Sequence, residues 1–101
     1  RREATALLGI WRDPWFGEVA LCPRGDGVGF ASARSPRMRG RLMRVGERWL
    51  VDWDDDGVDA EAWLHPPGAD GSTLRLSKVD PEADFSYDYQ DLAFVHERGC
   101  R

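Results

Sequence analysis

Short runs in which apolar and polar residues alternate fill most of this chain, and glycine-bearing turns separate them. Trp49, Val51 and Trp53 share one side of their run while Leu50 and Asp52 take the other, the period of two of a half-buried strand. Ala60, Ala62 and Leu64 alternate in the same way with Asp59, Glu61 and Trp63, and Leu74 and Leu76 alternate with Thr73, Arg75 and Ser77. Further strands are expected near Gly9–Arg12, Glu18–Cys22, Val28–Ala31, Arg41–Val45 and Leu92–His96. The pairs Asp26-Gly27, Asp56-Gly57 and Asp70-Gly71 predict hairpins, because a type I′ turn needs positive φ at both central residues. Gly46 predicts a further turn.

About eight strands at this spacing indicate an all-β domain, and tight turns make consecutive strands neighbours in an antiparallel meander. So many short strands avoid exposed edges best by closing into a barrel, whose interior at that size admits side chains or one small ligand. Tryptophan and phenylalanine are at hand to fill it, so a filled barrel is expected. Helix is expected only as a terminal turn or two within Glu3–Leu8. Two segments break the alternation. Ala33–Gly40 is basic and holds Pro36, which cannot donate to a strand ladder, whereas Pro81–Asp91 is acidic and aromatic. A bulge or bend is expected between Tyr89 and Leu92, where the apolar parity changes, and the two oppositely charged segments are candidates to face each other.

A chain of 101 residues is one domain, with its core expected over about residues 8–96 and terminal segments at 1–7 and 97–101. The net charge of −4 argues against a dedicated nucleic-acid binder. No apolar run approaches the roughly 18 residues of a membrane span, and the first residues do not read as a signal peptide. The chain starts on Arg1 rather than Met, as a fragment or processed product would. Of 14 basic residues only Lys78 is a lysine, so guanidinium–carboxylate pairs with the 18 acidic residues should lace the surface. Cys22 reads as a small buried side chain and Cys100 as part of a fraying end. Their pairing is the lesser alternative, open only to an oxidising compartment.

Candidate chemistry is sparse. Asp52, Asp54, Asp56 and Gly57 imitate the start of a calcium loop, but its twelfth position is Trp63 rather than a bidentate Glu, and strands flank it, so no metal or other cofactor is expected. His65 and His96 read as surface histidines. No G-x-S-x-G elbow is present, and nothing marks Ser35 or Ser86 as a nucleophile. Arg34, Arg37, Arg39, Arg41, Arg44 and Arg48 form a local basic run. No aromatic residue lies between Phe30 and Trp49, so pairing with acidic segments of this domain or of another one explains the run better than nucleic acid does.

Four segments together resemble a known family: Trp11–Gly17, Ala33–Arg37, Trp53-Asp54-Asp55 with Asp59–Ala62, and Asp84–Leu92. In that order they are similar to the lipocalin-like domain of unknown function that follows bacterial serine hydrolases of the β-lactamase and penicillin-binding-protein superfamily. The stretch Val45–Arg48 departs from it, since the family often carries a longer, aromatic-rich hairpin there. The resemblance implies a small antiparallel barrel, an extracytoplasmic parent, and a catalytic domain in cis or another copy of the parent as partner. It implies no catalysis here. The parent's S-x-x-K would place Ser where Arg75 stands before Lys78, and its Tyr-x-Asn cannot occur in a chain without Asn. In the first segment Trp15 and Phe16 either plug one barrel end, the favoured reading, or open a docking patch. The candidate docking residues are Trp11, Arg12, Asp13, Trp15, Arg34, Arg37, Asp84 and Tyr87. A non-catalytic accessory domain is therefore expected, with a free-standing small-ligand carrier as the alternative.

Overall fold

The computed structural model describes residues 6–14, 16–34, 36, 38–55, 61–67, 73–80, 82 and 93–100. They form eight strands: β1 Gly9–Asp13, β2 Gly17–Arg24, β3 Gly27–Ser32, β4 Arg39–Val45, β5 Arg48–Trp53, β6 Ala62–His65, β7 Thr73–Lys78 and β8 Ala93–Arg98. Each pairs antiparallel with the next, and β8 pairs with β1, so the expected meander closes into a barrel. A register shift between Ile10 and Trp11 marks the closing seam. The helical expectation reduces to Ala6 and Leu7; Leu8 is not helical, and residues 3–5 lie outside the described residues. The bend expected before Leu92 also lies outside them.

Two of the turns are glycine-first. Arg24 pairs with Gly27 and Val45 with Arg48, which leaves Gly25-Asp26 and Gly46-Glu47 as two-residue loops. Gly25 and Gly46 hold φ of +61° and +63°, and no described non-glycine residue has positive φ. The first hairpin therefore turns one residue earlier than Asp26-Gly27 suggests, in the II′ pattern that requires glycine at its first position. The other Asp-Gly pairs lie outside the described residues.

Alternation decides what faces inward. Val19 and Leu21, Val28 and Phe30, Val51 and Trp53, Ala62 and Leu64, and Leu74 and Leu76 all point into one buried cluster with Trp11, Phe16 and Phe94. Phe30 meets Trp53 edge to face at 5.3 Å between ring centroids, and Phe16 meets Phe94 at 5.7 Å. Trp11 donates its indole N–H to the carbonyl of Leu7 at 2.9 Å, which satisfies a donor that the core would otherwise strand. Leu7 itself is fully buried, and Cys22 and Cys100 form a disulfide across 5.7 Å between Cα atoms. Leu7 and Cys100 thus belong to the barrel more firmly than their sequence positions suggest. The tail beyond β8 is tied to β2 rather than frayed.

Candidate functional site

The Trp11–Gly17 segment is mostly structural. Trp11 is 2 % exposed, so it is a core side chain and not part of a docking surface. Asp13, 4 % exposed, accepts the backbone N–H of Phe16 at 2.9 Å and that of Ala93 at 2.8 Å. A carboxylate held by two amides tolerates burial, and this one fixes the β1–β2 turn against the start of β8. Phe16 is fully buried and plugs the barrel as expected. Arg34 is exposed just after β3 and engages neighbouring groups. Trp15, Arg37, Asp84 and Tyr87 lie outside the described residues. The proposed juxtaposition of the basic and acidic segments lies partly outside them too.

Arg12 belongs to a ring of charges on the outer face of β1, β2 and β8. Arg12, Glu18, Arg98 and Glu97 alternate in sign around it, with N···O distances from 2.5 to 3.2 Å. Hydrogen bonding from Arg98 holds the Glu18 carboxyl below its ordinary range, with the charges of Arg98 and Arg12 adding to the effect. The Arg12 guanidinium is raised chiefly by its hydrogen bond to Glu97, and that of Arg98 chiefly by its bond to Glu18. This ring realises the guanidinium–carboxylate lacing that the composition implies.

The outer face of β4, β5 and β6 is built differently. Register places Met43 opposite Leu50 and Leu50 opposite Trp63, so all three form one row across three strands. Met43 is 43 % exposed and its neighbour Val45 is 45 % exposed. The Arg48 guanidinium lies 4.5 Å above the Trp63 ring, and that of Arg44 lies 4.7 Å from the Trp49 ring at the barrel mouth. The basic run does have aromatic partners. They come from adjacent strands rather than from between the arginines in sequence, so a linear reading misses them. Period-two parity, which puts Trp63 on the side opposite Ala62 and Leu64, was the available signal.

Arg24 forms one flank of this region. It donates to the carbonyl of Gly40 and to Asp54, both at 3.0 Å, and its stem lies across β3 where Gly29 has no side chain. A Cβ at Gly29 would sit 3.1 Å from the Arg24 chain, tighter than nearly all real contacts. Asp54 of the calcium-like stretch is thus an ion-pair partner, and residues 56–60 of that stretch are outside the described set. Among the described residues no cluster of His, Cys, Asp and Glu could hold a metal ion.

One pair invites a catalytic reading. His65 Nε2 lies 2.6 Å from Ser77 Oγ on the outer face of β6 and β7. The sequence did not single out Ser77, because the contact is diagonal across paired strands. The pair sits on an exposed sheet face, where the backbone amides of β6 and β7 are committed to strand pairing. No helix among the described residues is long and apolar enough to cross a membrane. No protein-family model, no curated protein and no solved structure matches the chain.

Proposed function

We propose that this chain is a non-catalytic interaction domain serving a larger serine hydrolase of the β-lactamase type, docked on the catalytic domain or on another copy of the parent. The observation that carries this reading is the outer face of β4, β5 and β6. Exposed Met43 and half-buried Leu50 and Trp63 form an apolar row there, stiffened by Arg48 stacked on Trp63. Tryptophan, methionine and arginine are the side chains enriched at protein interfaces, and a stacked guanidinium loses little freedom when a partner covers it. The docking surface so proposed is this face, not the Trp11–Asp13 end.

Two further features support the reading. Trp11, Phe16, Phe30, Trp53 and Phe94 occupy the barrel interior, which speaks against the small-ligand carrier. The Cys22–Cys100 disulfide suits an oxidising, extracytoplasmic compartment. The serine-hydrolase parent rests on the four resembling segments. Sequencing the gene around this segment tests it: a domain bearing S-x-x-K and Tyr-x-Asn is expected, and a gene without one overturns the assignment. With that parent in hand, Trp63→Glu should break the association of the two domains while leaving the barrel folded. Unchanged association would exclude this face.

A further inference from the structure

The pairing of β3 with β4 is short. It comprises Gly29–Arg41, Phe30–Gly40 and Ala31–Arg39, whereas β4 runs on through Leu42–Val45 paired on its other side with β5. The β2–β3 hairpin leans away from β4 beyond Arg41, and the space between them is an open groove of about 490 Å³. Val28 and Leu42, each 8 % exposed, form its floor, and Arg24, Arg41, Met43 and Arg44 flank it. Among the described residues no strand covers this side of Leu42–Val45. Along an antiparallel strand every second residue directs its N–H and C=O to a given side, so this stretch offers main-chain donors and acceptors into the groove.

We propose that this open edge of β4 is a strand-addition site for an extended acidic segment of a partner protein. Main-chain pairing selects a polypeptide in β conformation, which neither a nucleic acid nor a lipid surface can supply. The flanking charge selects the side chains. Arg24 is matched by Asp54, and Asp26 is the carboxylate at the groove's hairpin end. Arg41 has no carboxylate within ion-pair distance among the described residues and faces outward beside the edge. An entering strand carrying carboxylates on alternate residues meets Arg41 on one side and lays small apolar residues over Val28 and Leu42 on the other. The four edge residues Leu42–Val45 correspond to roughly 13 Å of strand, so the recognised core is about four residues long. This goes beyond the docking of a hydrolase and does not depend on that parent.

The test uses the whole chain and a fluorescent, N-acetylated peptide of alternating glutamate and valine. Saturable binding below about 1 mM is expected, with amide signals of β4 shifting in a ¹⁵N correlation spectrum. N-methylation of alternate peptide nitrogens should weaken binding about tenfold per hydrogen bond lost, and a lysine–valine peptide should not bind. Arg41→Ala, on an exposed side chain in no ion pair among the described residues, should weaken binding several-fold at an unchanged melting temperature. Absence of binding overturns the proposal. So does binding indifferent to N-methylation, binding that a uridine oligonucleotide displaces, or binding that shifts amides of β1 and β8 instead.

Discussion

The β1–β2–β8 face and the β4–β5–β6 face use the same residue types to opposite effect. On the first, two arginines and two glutamates close on each other, and the Cys22–Cys100 bond pins the tail beside them. On the second, Arg48 lies over Trp63, Arg41 stands beside an open strand edge, and Met43 and Val45 face solvent, with Arg44 over Trp49 at the adjoining barrel mouth. Charges that satisfy one another offer a partner little, because they would have to be desolvated without gain. Apolar side chains beside stacked arginines offer area with little ordering cost. A count of arginines across the chain does not separate these two faces. What each guanidinium touches does.

The largest effect should fall on the sewn face. Cys22→Ser with Cys100→Ser opens a loop with a sequence separation of 78. Chain entropy then predicts a loss of about 4 kcal/mol, read from guanidinium unfolding. A loss well under half of that would mean that the paired strands hold the tail without the bond. Trp11→Ala and Trp63→Ala sharpen the contrast between inside and outside. Removing Trp11 should cost about 3–5 kcal/mol, whereas Trp63 should cost about 1 kcal/mol or less. Comparable losses would make the outer row part of the core and remove its claim to be a docking surface.

The charge ring gives a smaller, pH-dependent signature. Glu18 is held below its ordinary range by Arg98, so the unfolded chain binds its proton more readily than the folded one does. Its contribution is present above the unfolded value, near pH 4, and is lost as pH falls through the lower folded value. Glu18→Gln should therefore melt with a shallower dependence on pH than the parent chain below about pH 5, and added salt should narrow the difference. Parallel pH profiles would show that the ring is ornamental. The raised guanidinium groups of Arg12 and Arg98 leave this acid window untouched.

The fold was legible because parity and turns agree. Strands such as Arg48–Trp53 carry alternation strong enough to fix their inner face, and Gly46 marks its turn directly. The Asp26-Gly27 signal misplaced its turn by one residue because Gly25 competes for the position that needs positive φ. The candidate site was much less legible. Trp11 and Asp13 stood among the candidate docking residues, yet the chemistry of Asp13 is that of a buried cap, which only the three-dimensional arrival of Ala93 reveals. Met43, Leu50 and Trp63 are separated along the chain and meet only through register. The disulfide was underweighted for the same reason, since closure of β8 onto β1 carries Cys100 to β2.

The smallest expected effect is none. His65 and Ser77 are close enough for proton transfer at 2.6 Å, and that distance alone would suit a nucleophile and its base. A working pair also needs a group to orient the imidazole and donors aimed at a developing oxyanion, and removing a single such donor typically costs a hundredfold or more in rate. Among the described residues the pair lies on an exposed sheet face, and the neighbouring amides are engaged between β6 and β7. The purified chain should therefore show no turnover of nitrocefin or short acyl esters above buffer. Ser77→Ala and His65→Ala should leave both that baseline and the binding of an acidic peptide at the β4 edge unchanged. Turnover that vanishes with Ser77→Ala but survives Ser32→Ala would instead make the β6–β7 face catalytic, and the open half of the molecule would then be an active-site rim rather than a docking surface.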